Sequence, residues 1–355
     1  MSMEFLFNPA VSHEEWNEFV VRHGGGFLQS FEWSAFQHSV GNAVARIMIK
    51  KDGVTVLCAS AVRHALPLKK AYWYVPYGPV IAAATEDKKK TIQFFIERFS
   101  RVAGDEAVFL KIEPEVMSAQ ELFAPRGVRS AAAQPQETVI IDCTHSEEEM
   151  LSQMKPKTRY NIKVAQRHGV KIISPDDQAH LDPEIFLSLL ARTATRHRFR
   201  THDAHYYREM LTTFLPIGKT AADHACTARL FFAQYGGEVI ACALVMFFGK
   251  RATYVHGASH DEQKKVMAPY ALHWEIMKYA QEAGFSEYDM WGVATEGSSE
   301  ETKRKWGGFS RFKLGFGGAI VQRPGAYDFS LRPLWYTIYR GAKQASRVVR
   351  RLRHA

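Results

Sequence analysis

Two mixed α/β domains are predicted for this chain, and three observations carry the prediction. Its 355 residues exceed what one ordinary hydrophobic core organises and suit two units, each able to bury a substantial interior. The first half reads strand, strand, strand, helix, strand. The second half repeats a mixed order of strands and helices, with no repeat visible residue by residue.

The elements follow in chain order. Ala43–Lys50 and Val54–Arg63 are β-rich runs separated by Lys51-Asp52-Gly53, a hairpin signal with glycine at the turn. Tyr72–Tyr77 is a dense aromatic strand. Thr85–Ala103 brings Ile92, Phe95, Ile96 and Phe99 onto one helical stripe, and Ala107–Ile112 is the strand after it. This order is acetyltransferase-like. Ser130–Gln136, with three alanines and Pro135, marks the approach to a boundary before a strand at Thr138–Asp142. Beyond it come a basic helix, a strand at Val170–Ile173 and a helix started by Asp182-Pro183. Three strands follow at Ala225–Tyr235, Glu238–Phe248 and Ala252–Gly257, then a helix at Ala268–Ala283 and a strand at Glu287–Trp291. The predicted domains are 1–145 and 146–320, with a substrate cleft between them.

The basic helix is the most informative stretch. Lys155, Arg159, Lys163 and Arg167 recur every four residues and draw one cationic stripe, while Tyr160, Val164 and Ala165 are expected to turn toward a core. No Asp or Glu stands three or four positions away to neutralise the stripe, so a polyanion fits it better than a self-paired solvated face does. The formal charge of +9 and pI near 9.3 point to anionic partners as well. The tail Leu331–Ala355 is a second basic amphipathic helix, with Leu334, Trp335, Ile338, Tyr339, Ala342, Ala345, Val349 and Leu352 on one side. Its Arg347–Arg353 end has too little apolar surface for a core and suits anionic lipid headgroups or tRNA.

Composition bounds the rest. With 46% hydrophobic and 23% charged residues, no run reaches the roughly 18 to 20 uncharged residues that a bilayer requires. The start MSMEFLFNPAVSHEEW carries acids and is interrupted by Pro9, unlike an export signal. A cytoplasmic protein is expected, with peripheral contact at the inner face of the cell membrane through the basic tail. Cys58, Cys143, Cys226 and Cys242 form no C-x-x-C pair and read as buried free thiols. His197, His202 and His205 match no zinc spacing, and no metal is expected.

The chain resembles the Fem-type peptidoglycan bridge transferases. A K-x-R-x-x-I-x-x-A-x-(basic)-x-G-V signature reads here Lys157, Arg159, Ile162, Ala165, Arg167, Gly169 and Val170. Five further blocks stand in the family's order: FLQSFEW (Phe27–Trp33), YVPYGPV (Tyr74–Val80), LKIEP (Leu110–Pro114), YVHGAS (Tyr254–Ser259) and RFKLGFGG (Arg311–Gly318). About 45 residues stand where longer members insert a coiled-coil arm, so the resemblance is to the short form. It implies two acetyltransferase-like domains with segment 321–355 returning to complete the first. It further implies transfer of an amino acid from aminoacyl-tRNA to the side-chain amine of a UDP-linked or lipid-linked muropeptide, with aminoacyl-tRNA as co-substrate and no cofactor.

Such a reaction needs an oxyanion partner and a positioned amine, and not a covalent nucleophile, because the tRNA ester is already activated. No G-x-S-x-G elbow or nucleophilic cysteine motif is present. By resemblance Lys313 is the important lysine, expected in a strand of RFKLGFGG, with Phe312, Phe316, Gly315, Gly317 and Gly318 shaping that strand for a close substrate backbone and Arg311 in reserve. Glu113 stands at the family's strand-end acid and would orient or deprotonate the attacking ammonium. Tyr74 and Tyr254 fall in the family-like blocks. Tyr206 and Tyr207 match its paired aromatics, one for a sugar or diphosphate and the other for the core. Gln37 replaces a phosphate-binding lysine of some members, which Arg200 or His202 would offset. The stripe Lys155, Arg159, Lys163 and Arg167 is assigned to tRNA or precursor phosphates. Two rivals remain: an acyl-CoA-dependent N-acyltransferase, although no Gly/Arg pyrophosphate loop enters a helix, and a non-catalytic nucleic-acid binder.

Overall fold

In a computed structural model, residues 2–115, 119–175, 182–197, 201–214, 224–260 and 262–352 are described. The first sheet is built from β1 (Met3–Phe7), β2 (Val44–Lys51), β3 (Val54–Leu66), β4 (Lys70–Pro76), β5 (Val80–Ile81), β6 (Ala107–Glu113), β7 (Val128–Ser130) and a late strand near residue 328. The second holds β8 (Glu137–Asp142), β9 (Lys171–Ile173), β10 (Thr227–Tyr235), β11 (Glu238–Phe248), β12 (Arg251–Ser259), β13 (Glu287–Gly292) and β14 (Ala319–Gln322). The late strand is β15 (Ala326–Ser330), inserted between β6 and β7.

Each sheet is antiparallel except at one place. β4 pairs with β6 in parallel, and β12 with β13. Each of these pairs needs a crossover. The helices that supply it are α3 (Lys88–Val102) in the first sheet and, by place, α9 (Ala268–Glu282) in the second. The element order read from sequence is therefore a repeated supersecondary unit. One assignment changes. β8 lies within the predicted first domain yet hydrogen-bonds to β13 and β14 of the second sheet, because its inward Val139 and Ile141 belong to the second core. The second sheet thus begins at residue 137, before the predicted boundary at 146.

The helices, in chain order, are α1 (His13–Arg22), α2 (Phe31–Ser39), α3, α4 (Ala119–Phe123), α5 (Glu147–Gln153), α6 (Pro156–Arg167), α7 (Pro183–His197), α8 (Ala204–Phe214), α9 (Ala268–Glu282), α10 (Glu300–Lys313) and α11 (Pro333–Leu352). Starts are set by local chemistry. Ser12 and Ser30 accept the third amide of α1 and α2, and Ser146 with Glu149 forms a reciprocal capping box on α5. One apolar cluster runs across both halves, from Trp16, Phe27 and Phe36 of the first to Phe186, Phe214 and Phe232 of the second. The two domains are thereby fixed to each other by buried surface. The four cysteines are free and buried.

Candidate active site

The parallel pairing of β12 with β13 ends at Thr253–Asp289. Beyond it β13 breaks register, and Trp291 takes a left-handed φ of 62°, a strained conformation for a bulky residue. Two bonds hold the break: the Trp291 amide donates to Asp289 Oδ1 (2.7 Å) and Thr138 Oγ1 donates to the Trp291 carbonyl (2.9 Å).

Lys313 fills the opening so created. It is not in a strand. It is the last residue of α10, and its fully buried side chain reaches back so that Nζ donates to the Gly292 carbonyl at 3.0 Å. The ring of Tyr254, one residue past the end of the β12–β13 pairing, is 5.3 Å away, and that of Phe309, one turn earlier on α10, is 4.0 Å away. Phe309 is itself 46% exposed, so the ring that covers the ammonium on this side meets solvent on its other parts. Burial pulls the lysine pKa down to about 7, against the partial support of the Asp289 carboxylate. Beneath lies His273, whose pKa falls to about 3 through burial and the Lys313 charge; it is neutral and bonded to Tyr288 Oη at 2.7 Å.

The expectation for the neighbouring glycines changes too. Gly317 and Gly318 have φ of 84°, and a methyl on them would meet the Gln153 and Ile140 carbonyls at 2.7 and 2.5 Å. They make room for the chain's own backbone between α5 and β8, and not for a substrate. Phe312 and Phe316 pack on His273 and Tyr270 in the core.

Glu113 is linked to this lysine through one short segment. Its buried carboxylate accepts the Tyr74 hydroxyl (2.7 Å) and the amides of Ala133 (3.0 Å) and Gln134 (3.1 Å). Burial raises its pKa, and these donors oppose the rise. The next residue, Pro135, gives its carbonyl to the Tyr77 hydroxyl (2.7 Å) and packs so closely on Gly292 that a methyl there would lie 2.8 Å from its ring. Glu113, 133–135, Gly292 and Lys313 form a continuous chain across the two sheets. Glu113 holds backbone in place and is enclosed.

A charged cluster missed by sequence reasoning seals the same seam. Arg323 lies over the Tyr77 ring (4.3 Å) and pairs with Glu115 (3.3 Å) and Asp289 (3.6 Å), while Arg251 pairs with Glu115 (2.6 Å) and Glu287 (2.8 Å). Nε and Nη1 of Arg323 and Oδ2 of Asp289 have no hydrogen-bond partner among the described residues. Positions 115, 251, 287, 289 and 323 share no local spacing, so no motif announces them.

The other expected residues are spread more widely. Tyr206 stacks on His202 (3.7 Å between rings) and packs edge-on against Phe36 in the α2–α8 contact; Gln37 of α2 accepts the Asn42 amide at 2.9 Å. Tyr207 is buried against His256 and Phe186 and is the core member of the pair. Arg311, two residues from Lys313 on the helix, is exposed on another side. Arg200 lies outside the described residues.

The basic helix is split. Arg159 Nη1 donates to the Met154 carbonyl at 2.5 Å and lies 3.4–3.5 Å from those of Ser152 and Leu151, capping α5. Lys155, Lys163 and Arg167 are exposed. Tyr160, expected in the core, is 60% exposed with the Arg167 guanidinium 5.7 Å from its ring; Thr158, Asn161 and Ile162 take the inward positions instead. A groove of about 510 Å³ runs along this face, with Arg159, Lys163 and Trp274 in its lining.

Two halves that each carry one parallel strand pair in an otherwise antiparallel sheet define a tandem acetyltransferase-like fold. A solved tandem GNAT protein from the clavulanic acid biosynthesis pathway superposes with a TM-score of 0.55 over 94% of this chain and 99% of that one, at 11% identity. The crystal structure of FemX superposes better, with a TM-score of 0.78 over 94% and 99%, at 18% identity. The FemAB family model matches residues 11–127, 123–235 and 219–344, and the chain belongs to the FemAB family. It is similar to a lipid II:glycine glycyltransferase of Staphylococcus epidermidis, at 21% identity over 92% of this chain and 94% of the relative. It is also similar to a UDP-N-acetylmuramoylpentapeptide-lysine N(6)-alanyltransferase of Weissella viridescens, at 23% identity over 82% and 88%.

Proposed function

We propose that this FemAB-family chain is an aminoacyltransferase that moves an amino acid from aminoacyl-tRNA to the side-chain amine of a peptidoglycan precursor peptide. The observation that carries the reading is the Lys313 ammonium, buried in the opened β12–β13 pair and tied through Gly292 and Pro135 to Glu113. The names of the glycyl- and alanyltransferase relatives support the acceptor class.

In this reading the acceptor amine, once it has lost its ammonium proton, attacks the ester carbonyl of the charged tRNA. A tetrahedral oxyanion forms, its nitrogen gives up one proton, and it collapses to the amide with the tRNA ribose oxygen leaving and taking up a proton. Lys313 stabilises the oxyanion as charge builds, in a site where low dielectric strengthens the interaction. Phe309 must swing aside for the ester to reach it. Glu113 is a positioning residue that holds 133–135 and, through Gly292, the lysine. Lys155, Lys163 and Arg167 hold tRNA phosphates, and Tyr206 faces the precursor.

The test is direct. Charged tRNA plus either a UDP-linked or a lipid-linked muropeptide is expected to yield a product heavier by one residue. Consumption of acetyl-CoA in place of aminoacyl-tRNA would overturn the reading.

A further inference from the structure

We propose that α11 and the β3–β4 hairpin tip form a docking face for an anionic lipid surface. The first turns of α11 are seated on the back of the first sheet. Tyr336 donates to Asp328 Oδ2 (3.2 Å), the Tyr339 ring lies 4.9 Å from that of Phe109, and Trp335 is covered by the Lys70 ammonium at 4.7 Å. These contacts orient the helix. They leave its opposite side, expected from sequence to be one apolar face with Trp335 and Tyr339, divided from them. Leu334 is 72% exposed and Ile338 49%, and Ala342 and Ala345 continue the stripe in the open at helical spacing.

The hairpin tip beside Trp335 adds a second apolar point. Leu68, between Pro67 and Lys69, is 74% exposed, and its neighbour Lys70 is the cation over Trp335. An aliphatic stripe together with an exposed leucine, left uncovered on a helix otherwise rich in cations, has the makeup of an interfacial anchor.

Charge selects the occupant. Seven Arg and Lys residues and no Asp or Glu fall between positions 331 and 355. A second copy of the chain would bring two such helices together with their like charges unrelieved. RNA phosphates would use the cations but gain nothing from Leu68, Leu334 and Ile338. An anionic bilayer answers both, taking the leucines below the headgroups and the cations among them. The proposal does not depend on the reaction catalysed.

The experiment is co-sedimentation of the full-length protein with vesicles of phosphatidylglycerol and phosphatidylcholine, and with phosphatidylcholine alone. Neither contains precursor or tRNA, so the outcome is independent of acyl transfer. Binding to the anionic vesicles is expected to exceed binding to the neutral ones by about tenfold or more and to fall as salt shortens the Debye length to about 3 Å. The Leu334→Asp/Ile338→Asp double variant, and Leu68→Asp separately, change exposed side chains; the melting temperature is expected to hold while vesicle binding drops, by about tenfold for the double variant. Wild-type binding equal on both vesicle types would overturn the proposal, as would variants that bind like the wild type. A wild-type dimer by light scattering that the double variant loses would assign the face to a second copy. Loss of tRNA affinity in the double variant with vesicle binding intact would assign it to RNA.

Discussion

Replacing Lys313 by methionine is expected to make the protein more stable at neutral pH while removing its activity. The lysine pKa lies at about 7 where 10.5 is ordinary. At about 1.4 kcal/mol per pK unit, keeping the ammonium buried costs about 5 kcal/mol once both folded and unfolded chains are protonated. The sign follows from proton counts. Above about pH 10.5 the amine is neutral in both states and contributes no pH dependence. Between about 10.5 and 7 the unfolded chain binds a proton that the folded chain refuses, so wild-type stability falls as pH falls. Below about 7 the penalty is complete and constant. Methionine keeps most of the stem but leaves the Gly292 carbonyl without its donor, which costs about 1–3 kcal/mol at every pH. Urea titrations should find Lys313→Met about 2–4 kcal/mol more stable than wild type near pH 6, equal to it near pH 9, and less stable at higher pH. Turnover should fall by roughly two orders of magnitude, about 3 kcal/mol of transition-state stabilisation. Lys313→Arg should rescue little, because the planar guanidinium reaches a different position. A Met variant destabilised by the same amount across the whole range would refute the account of a buried titrating amine, and wild-type turnover would remove Lys313 from the chemistry.

Further outcomes follow from the same geometry. Since kcat/KM reports the free enzyme, it should decline as pH rises through about 7 while Lys313 deprotonates, and Phe309→Ala, by admitting water to the ammonium, should shift that decline to higher pH; a decline at the same pH in both would show that Phe309 is no cover. Gly308→Ala, where an added methyl meets nothing within 4 Å, should raise stability by up to about 1 kcal/mol and lower kcat if this part of α10 must move to uncover Lys313; raised stability with unchanged kcat would argue for a static helix. Arg159→Gln should lower the melting temperature by uncapping α5, whereas Lys163→Gln with Arg167→Gln should leave it unchanged and flatten the salt dependence of tRNA binding. Asp289→Asn strips Arg323 and Lys313 of an enclosed counter-charge and should cost about 3–5 kcal/mol in denaturant titrations; a neutral effect would mean that the cluster is solvated.

The central strand and helix order of each half and the two basic helices were legible in the chain because each depends on local periodicity and on turn or cap residues within a few positions, whereas the parallel pairing of β4 with β6 and of β12 with β13 was decided by tertiary structure. The resemblance placed Lys313 and Glu113 by motif. The strand expected for RFKLGFGG with that resemblance does not form at Lys313; tertiary packing made the residue the end of α10, since Phe312 and Phe316 are core residues facing His273 and Tyr270. Tyr160 and Arg159 exchanged expected roles for a similar reason. Helical spacing defines faces but not which face meets the body, and the Arg159 guanidinium was drawn to carbonyls left free at the end of the preceding helix. The division of the α11 apolar residues between sheet and solvent was settled by the aromatic contacts at Phe109 and Lys70. The Arg323–Asp289–Glu115–Arg251 cluster had no signature at all, because its members are brought together only when the two sheets meet, and long-range electrostatic pairing leaves no trace in local spacing.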